Sequence, residues 1–264
     1  GAATLTDFTA KIIGTSLLKI TENGTQQWVQ SYDIYYNDNN DVVQPTIDGG
    51  YIICGGYLFN QEEPCNIIKT DSLGNEEWCQ YYDVQFQSIK QTVNGDYIVC
   101  GYTPSFGNDE DIVVSTSFKL YENGYEEWSY QTPNDQVWEG SLGRSIIQTI
   151  DGNYVMLGWL DGVSGGYLIK IDENGYEEWS QTYDWWSGNQ VIQVNDGGYV
   201  VSGRNFDNYS VLLIKTDPEG NVTNTSTIEL PIPTRKRELI KTTNILGQEN
   251  TTIKNQPLIE IYDD

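Results

Sequence analysis

"LIKIDENGYEEWSQTYD", residues 168–184, runs from an apolar stretch through one lysine and an acidic turn with a single glycine to a tryptophan four residues beyond that glycine. Near copies read "LLKITENGTQQWVQSYD" from Leu17, "IIKTDSLGNEEWCQYYD" from Ile67 and "SFKLYENGYEEWSYQTP" from Ser117, with a fainter "LIKTDPEGNVTN" from Leu213. Lys19, Lys69, Lys119, Lys170 and Lys215 each precede a glycine by five residues, at intervals of 45 to 51. A period of this size marks a repeat architecture, which decides the fold before any single residue is weighed.

A second phrase alternates with the first: "TIDGGYIICGG" from Thr46, "TVNGDYIVCGY" from Thr92, "TIDGNYVMLGW" from Thr149 and "VNDGGYVVSGR" from Val194. Both phrases flank a glycine-bearing turn with β-branched and aromatic residues, the pattern of a β-hairpin. In the first, a type I turn whose third residue is left-handed explains the glycine, because only glycine enters that region without steric cost. The same spacing places Lys69, Lys119 and Lys170 opposite Glu77, Glu127 and Glu178. Ile68, Phe118 and Ile169 are then expected opposite Trp78, Trp128 and Trp179 on the other face.

Two hairpins in about 48 residues make four strands, the content of one blade of a β-propeller. Five lysine strands predict an all-β fold, a β-propeller of five four-stranded blades over residues 1–229. "FTAKIIGTSLLKI" supplies only two strands of the first blade, and the last has a weak outer strand near "VTNTSTIEL". Ring closure is expected to join these two imperfect ends. A β-solenoid of stacked hairpins is the alternative fold, but its turns are usually much shorter than 48 residues.

Composition narrows the function. The 264 residues are 38% hydrophobic and 12% aromatic, enough to bury a core. The formal charge of −24 repels nucleic acid and anionic lipid, and no apolar run is long enough to insert in a membrane. Histidine is absent, which excludes Ser-His-Asp and Cys-His catalysis and histidine-ligated zinc. Cys54, Cys65, Cys79 and Cys100 have no zinc spacing; they read as small buried hydrophobes or as disulfides.

"DGGYIICGG" and "LIKIDENGYEEW" resemble the propeller-type repeats of secreted and cell-surface proteins from Bacteroidetes-like bacteria. After "LPIPT", residues 230–234, the sequence resembles the type A C-terminal sorting domain of type IX secretion cargo over residues 235–264, ending before that domain's usual last strand. Its turn reads "NILGQ", with Asn244 and Gln248 where Asp and Arg are usual. The resemblance implies a small β-rich sorting module, contact with the secretion machinery and export across an outer membrane. Residues 235–264 carry five basic and five acidic residues, 5 − 5 = 0, so the whole −24 belongs to the repeats.

In a propeller the hairpin turns share one face, and the connections that enter each blade open on the other with those that join its hairpins. Here the turns repeat and the connections vary. The variable connections bring aromatics at Tyr35, Tyr36, Phe86, Trp138, Trp185 and Trp186, beside acidic and amide-rich stretches. Such surfaces stack on sugar rings or grip cationic peptides, although the same rings serve equally as wedges between blades. "NDNND" (37–41) and "NDED" (108–111) make Asp38, Asp41, Asp109 and Asp111 candidate calcium ligands. Asp172–Gly175 itself reads as a turn.

The expected function is a secreted or cell-surface, non-enzymatic binding or adhesion protein that recognises a glycan or an extracellular protein. Two alternatives stand beside it. A glycan-active hydrolase would use paired carboxylates, but Asp33, Asp83, Asp135 and Asp184 recur with the repeat and single out no pair. A surface-layer or filament subunit is the other. Arg144 and Arg204, the two arginines of the repeats, are expected to form salt bridges or to anchor a ligand.

Overall fold

Described in the computed structural model are residues 10–13, 16–32, 42–55, 66–103, 113–132, 140–161, 165–183, 186–205, 211–224, 239–244 and 258–262. Among them every regular element is a β-strand. Compact unit one spans residues 1–228 and unit two residues 229–264. Unit two contributes one antiparallel pair, Leu239–Asn244 with Leu258–Tyr262.

Among the described residues, unit one contains five open antiparallel sheets, each with its strands in chain order. Sheet 1 has three: β1 (Ala10–Ile13), β2 (Ser16–Ile20) and β3 (Gln26–Ser31). Sheet 2 has β4 (Val42–Pro45), β5 (Tyr51–Cys54), β6 (Ile67–Thr70) and β7 (Glu76–Gln80). Sheet 3 has β8 (Gln85–Gln91), β9 (Tyr97–Thr103), β10 (Val114–Leu120) and β11 (Glu126–Gln131). Sheet 4 has β12 (Gly140–Gln148), β13 (Tyr154–Asp161), β14 (Gly165–Ile171) and β15 (Glu177–Tyr183). Sheet 5 has β16 (Trp186–Gln193), β17 (Tyr199–Asn205), β18 (Val211–Thr216) and a short β19 (Val222–Asn224).

The middle strands of sheets 2 to 4 are buried on both faces, and their wording, such as "YIIC" and "YIVC", shows no polar alternation. Successive residues serve different neighbours. Tyr51 and Ile53 of β5 pack with Leu17 and Tyr32 of sheet 1, whereas Ile52 and Cys54 pack with Phe86, Tyr97 and Val99 of sheet 3. The pattern continues: Ile98 and Cys100 meet Ile146, Met156 and Tyr167 of sheet 4, and Val155 and Leu157 meet Val191, Val201 and Leu212 of sheet 5. The core is thus a series of layers between consecutive sheets.

Both turn types form as the glycines require. In the stretch at 172–176, the Asp172 amide donates to the Tyr176 carbonyl (2.8 Å) and the Gly175 amide to the Asp172 carbonyl (3.1 Å), with Gly175 at φ 91°. Asp172 Oδ1 accepts the amides of Asn174 and Tyr176, so its carboxylate closes the turn. These hydrogen bonds, the Tyr176 amide foremost, hold the Asp172 carboxyl below the usual carboxylate range.

The register beyond the turn departs from expectation by one residue. Lys69, Lys119 and Lys170 lie opposite Trp78, Trp128 and Trp179, while Ile68, Phe118 and Ile169 face Cys79, Ser129 and Ser180. The cause is a bulge directly after the turn, which leaves Glu77, Glu127 and Glu178 as extra residues in the outer strand. The bulge keeps each glutamate beside its lysine all the same: the Nζ–Oε2 distances are 2.6, 2.5 and 3.1 Å.

Each tryptophan therefore belongs to the next sheet. Trp28, Trp78 and Trp128 stand edge-on to Tyr51, Tyr97 and Tyr154 at centroid distances of 5.8, 5.9 and 5.6 Å, and Trp179 is tilted against Tyr199 at 6.0 Å. Each also covers the turn glycine of the following sheet, so closely that a Cβ on Gly74, Gly124, Gly175 or Gly220 would lie within 2.9 Å of it. Four residues after three of them, Tyr32, Tyr82 and Tyr183 donate a hydroxyl to the carbonyls of Gly74, Gly124 and Gly220, at 2.6, 2.7 and 2.6 Å. At the remaining joint Thr132 replaces the tyrosine, and the Trp128 indole N–H instead donates to the Glu173 carbonyl (2.9 Å).

Candidate functional site

The repeated turns meet at one edge of the sheets, and their charges are engaged there. Lys69 reaches both Asp48, on the inner turn of its sheet, and Glu77, each at 2.6 Å. Lys119 bridges Asp96 and Glu127, Lys170 bridges Asp151 and Glu178, and Lys215 pairs with Asp196. Burial works against the Lys69 ammonium, but its hydrogen bonds to Asp48 and Glu77 outweigh that and raise its pKa. Burial pulls the Asp48 carboxyl up, while hydrogen bonds from Lys69, Thr46 and the Gly50 amide bring it below its ordinary value. Lys19, whose sheet offers Gln27 in place of the glutamate, lies instead against the rings of Trp28 (5.9 Å) and Tyr51 (5.6 Å).

A second chain of contacts joins the inner turns. The Ile47, Val93 and Ile150 amides donate to Gln91, Gln148 and Gln193 of the next sheet at 2.7, 2.9 and 2.8 Å. Each glutamine then donates to the glycine carbonyl of its own turn. The lysines and glutamines of this edge are thus engaged with their neighbours, while Ile47, Val93, Ile150, Tyr125 and Tyr176 on the same turns are exposed.

Tyr35, Tyr36, Trp138 and Trp185 lie outside the described residues, as do Asp38, Asp41, Asp109 and Asp111. Trp186 opens β16 opposite Asn205. Phe86 requires a correction: it lies inside β8 and is fully buried, with its ring centroid 6.1 Å from Tyr82 and 6.2 Å from Phe118. β8 begins earlier than the wording "YYDVQFQ" suggests, which carries Phe86 into the layer between sheets 2 and 3, where it offers no face to a ligand. Among the described residues no three Cys, Asp or Glu side chains group as a metal site. Cys79 is disulfide-bonded, while Cys54 and Cys100 are buried thiols.

The first strands of sheets 3, 4 and 5 share a feature that the repeat wording hid. Each has a one-residue register shift, leaving Gln87, Arg144 and Asn189 as the bulged residues. A bulge re-aims its side chain out of the ladder. Arg144 uses this to reach across sheets, and its Nη1 donates to Gln87 Oε1 at 3.1 Å. The amide nitrogen of Gln87 is buried and without a hydrogen-bond partner. No salt bridge to Arg144 forms among the described residues, in contrast to the paired lysines of the turn edge. Lys90, further along β8, likewise meets a neutral amide, Gln44 Oε1 of β4, at 3.0 Å. Burial pulls the Lys90 pKa down.

Compared with known proteins, the chain matches no family model and no curated sequence. A solved structure similar to it is that of a protein of unknown function from Bacteroides caccae, determined at 1.35 Å resolution. The two are 11% identical, the match covers 82% of this chain and 91% of the other, and the TM-score is 0.44.

Proposed function

We propose that the five sheets are blades of a β-propeller and that the chain is a secreted or cell-surface, non-enzymatic binding protein. On this reading the face opposite the hairpin turns recognises a glycan or an extracellular protein. One observation carries it: the lysines and glutamines of the repeated edge are engaged in their own ion pairs and hydrogen bonds, which favours the connections of varied length and sequence for recognition. Tyr35, Tyr36, Trp138, Trp185 and Trp186 are the candidate platforms, and Asp38, Asp41, Asp109 and Asp111 the candidate calcium ligands. The disulfide at Cys79 suits an oxidising compartment. Export through residues 235–264 as a sorting signal belongs to the same proposal, supported by the separate compact unit that contains them.

The test is binding to glycan and peptide arrays, with and without calcium. Trp138→Ala or Trp186→Ala is expected to abolish binding and leave the melting temperature unchanged. A folded variant that binds as well as the parent removes the site from this face.

A further inference from the structure

We propose that Arg144 and Gln87 form an anion site between the first strands of sheets 3 and 4, built to take a carboxylate or sulfate group such as an acidic sugar carries. This rests on the binding-protein reading above and narrows its ligand class.

In a chain of net charge −24, with 38 acidic residues, a cation normally finds a carboxylate, and Lys69, Lys119, Lys170 and Lys215 each do. Arg144 is half-buried and finds an amide oxygen instead. A guanidinium has five N–H donors in a rigid fork, and among the described residues one of them is used. Beside it, the Gln87 amide nitrogen is a buried donor with no acceptor, an arrangement that is unfavourable unless something accepts the bond. An oxyanion placed between them would take charge-assisted bonds from Arg144 and the free donor of Gln87. Gln87 Oε1 already accepts from Arg144, which fixes the amide with its nitrogen as the remaining donor.

Position supports the same reading. Both residues sit on bulges at equivalent places in adjacent sheets, so one irregularity of the repeat delivers two donors to one point. Arg144 lies six residues after Trp138 in sequence, on the strand that follows that connection. The third bulged residue, Asn189, is exposed, and Lys90 adds a second cation on the same strand as Gln87. The overall negative charge opposes an anion only weakly from a distance, because fields between exposed charges are screened beyond about 8 Å at physiological salt.

The experiment titrates the intact chain with acetate, sulfate, glucuronate and neutral glucose at constant ionic strength, by calorimetry and thermal unfolding. Glucuronate or sulfate is expected to bind and raise the melting temperature, while glucose does neither. Arg144→Gln should weaken binding about tenfold or more, Arg144→Lys should retain part of it, and Gln87→Met should weaken it by removing the donor. Tighter binding of glucuronate than of acetate identifies an acidic sugar as the source, and equal binding identifies a free anion; both support the site. If Arg144→Gln does not fold, Gln87→Met carries the test. The proposal is overturned if no anion binds the parent, or if both variants bind as the parent does. A glycan held by Arg144→Gln but lost by Trp138→Ala would remove this site and leave the wider reading of the face intact.

Discussion

Gly24 and Gly175 hold the same place in the same turn, at φ 81° and 91°, yet they stand in different surroundings. A methyl group on Gly24 would meet nothing within 4 Å, whereas on Gly175 it would come within 2.9 Å of the Trp128 ring. Left-handed strain alone costs an alanine about 1 kcal/mol, and crowding a packed ring adds about 1–3 kcal/mol. Gly24→Ala should therefore lose about 1 kcal/mol in urea unfolding and Gly175→Ala distinctly more. Equal losses would show that the tryptophan yields freely. Only half of this was legible in the sequence: the spacing demands a left-handed glycine at both turns, but which glycine lies beneath a tryptophan depends on the sheet that precedes it.

At the scale of the element, the outer strand of one sheet grips the turn of the next through two residues of unequal weight. Trp78→Ala removes the contact with Tyr97 and the cover over Gly124, and should cost about 2–4 kcal/mol. Tyr82→Phe removes only a hydroxyl bond to the Gly124 carbonyl and should cost about 1 kcal/mol. Because Gly124→Ala collides with Trp78, the two substitutions should be non-additive: in the Trp78→Ala background, Gly124→Ala should cost mainly its backbone strain. Strict additivity in a double-mutant cycle would break the link. The hairpins, the glycine geometry and the lysine–glutamate pairs could all be read from the repeat. The bulges could not, because an extra residue that recurs in every copy leaves the period unchanged. That one blind spot displaced the tryptophans by a register step and hid Gln87, whose pairing with Arg144 shows only when adjacent sheets are superimposed.

For the whole molecule, the ion pairs set a pH window. Hydrogen bonds hold Asp48 and Asp151 below the ordinary carboxylate value despite the opposing pull of burial, so folding favours their ionised form. That contribution is complete above about pH 4 and is lost as pH falls through the lower folded values. At the other end burial pushes Tyr32 and Tyr82 up to about 12, and the carboxylate partners of Lys69, Lys119 and Lys170 raise those ammonium groups against burial. Folding there favours the protonated forms, so stability is complete below about pH 10 and is lost as pH climbs through the raised values. Urea midpoints should be level between about pH 5 and 9 and fall on both sides; a midpoint that rises below pH 4 would exclude these pairs as contributors. The joint between sheets also bears on how such a chain arises. Each complete unit carries a plug, its tryptophan with or without a tyrosine partner, and a socket, the glycine turn that receives the plug before it. Among the described residues Gly24 is an empty socket, and β19 has no tryptophan to serve as a plug. A gene segment encoding one unit can therefore be duplicated or deleted in frame and every internal joint is restored at once, so copy number is free to change.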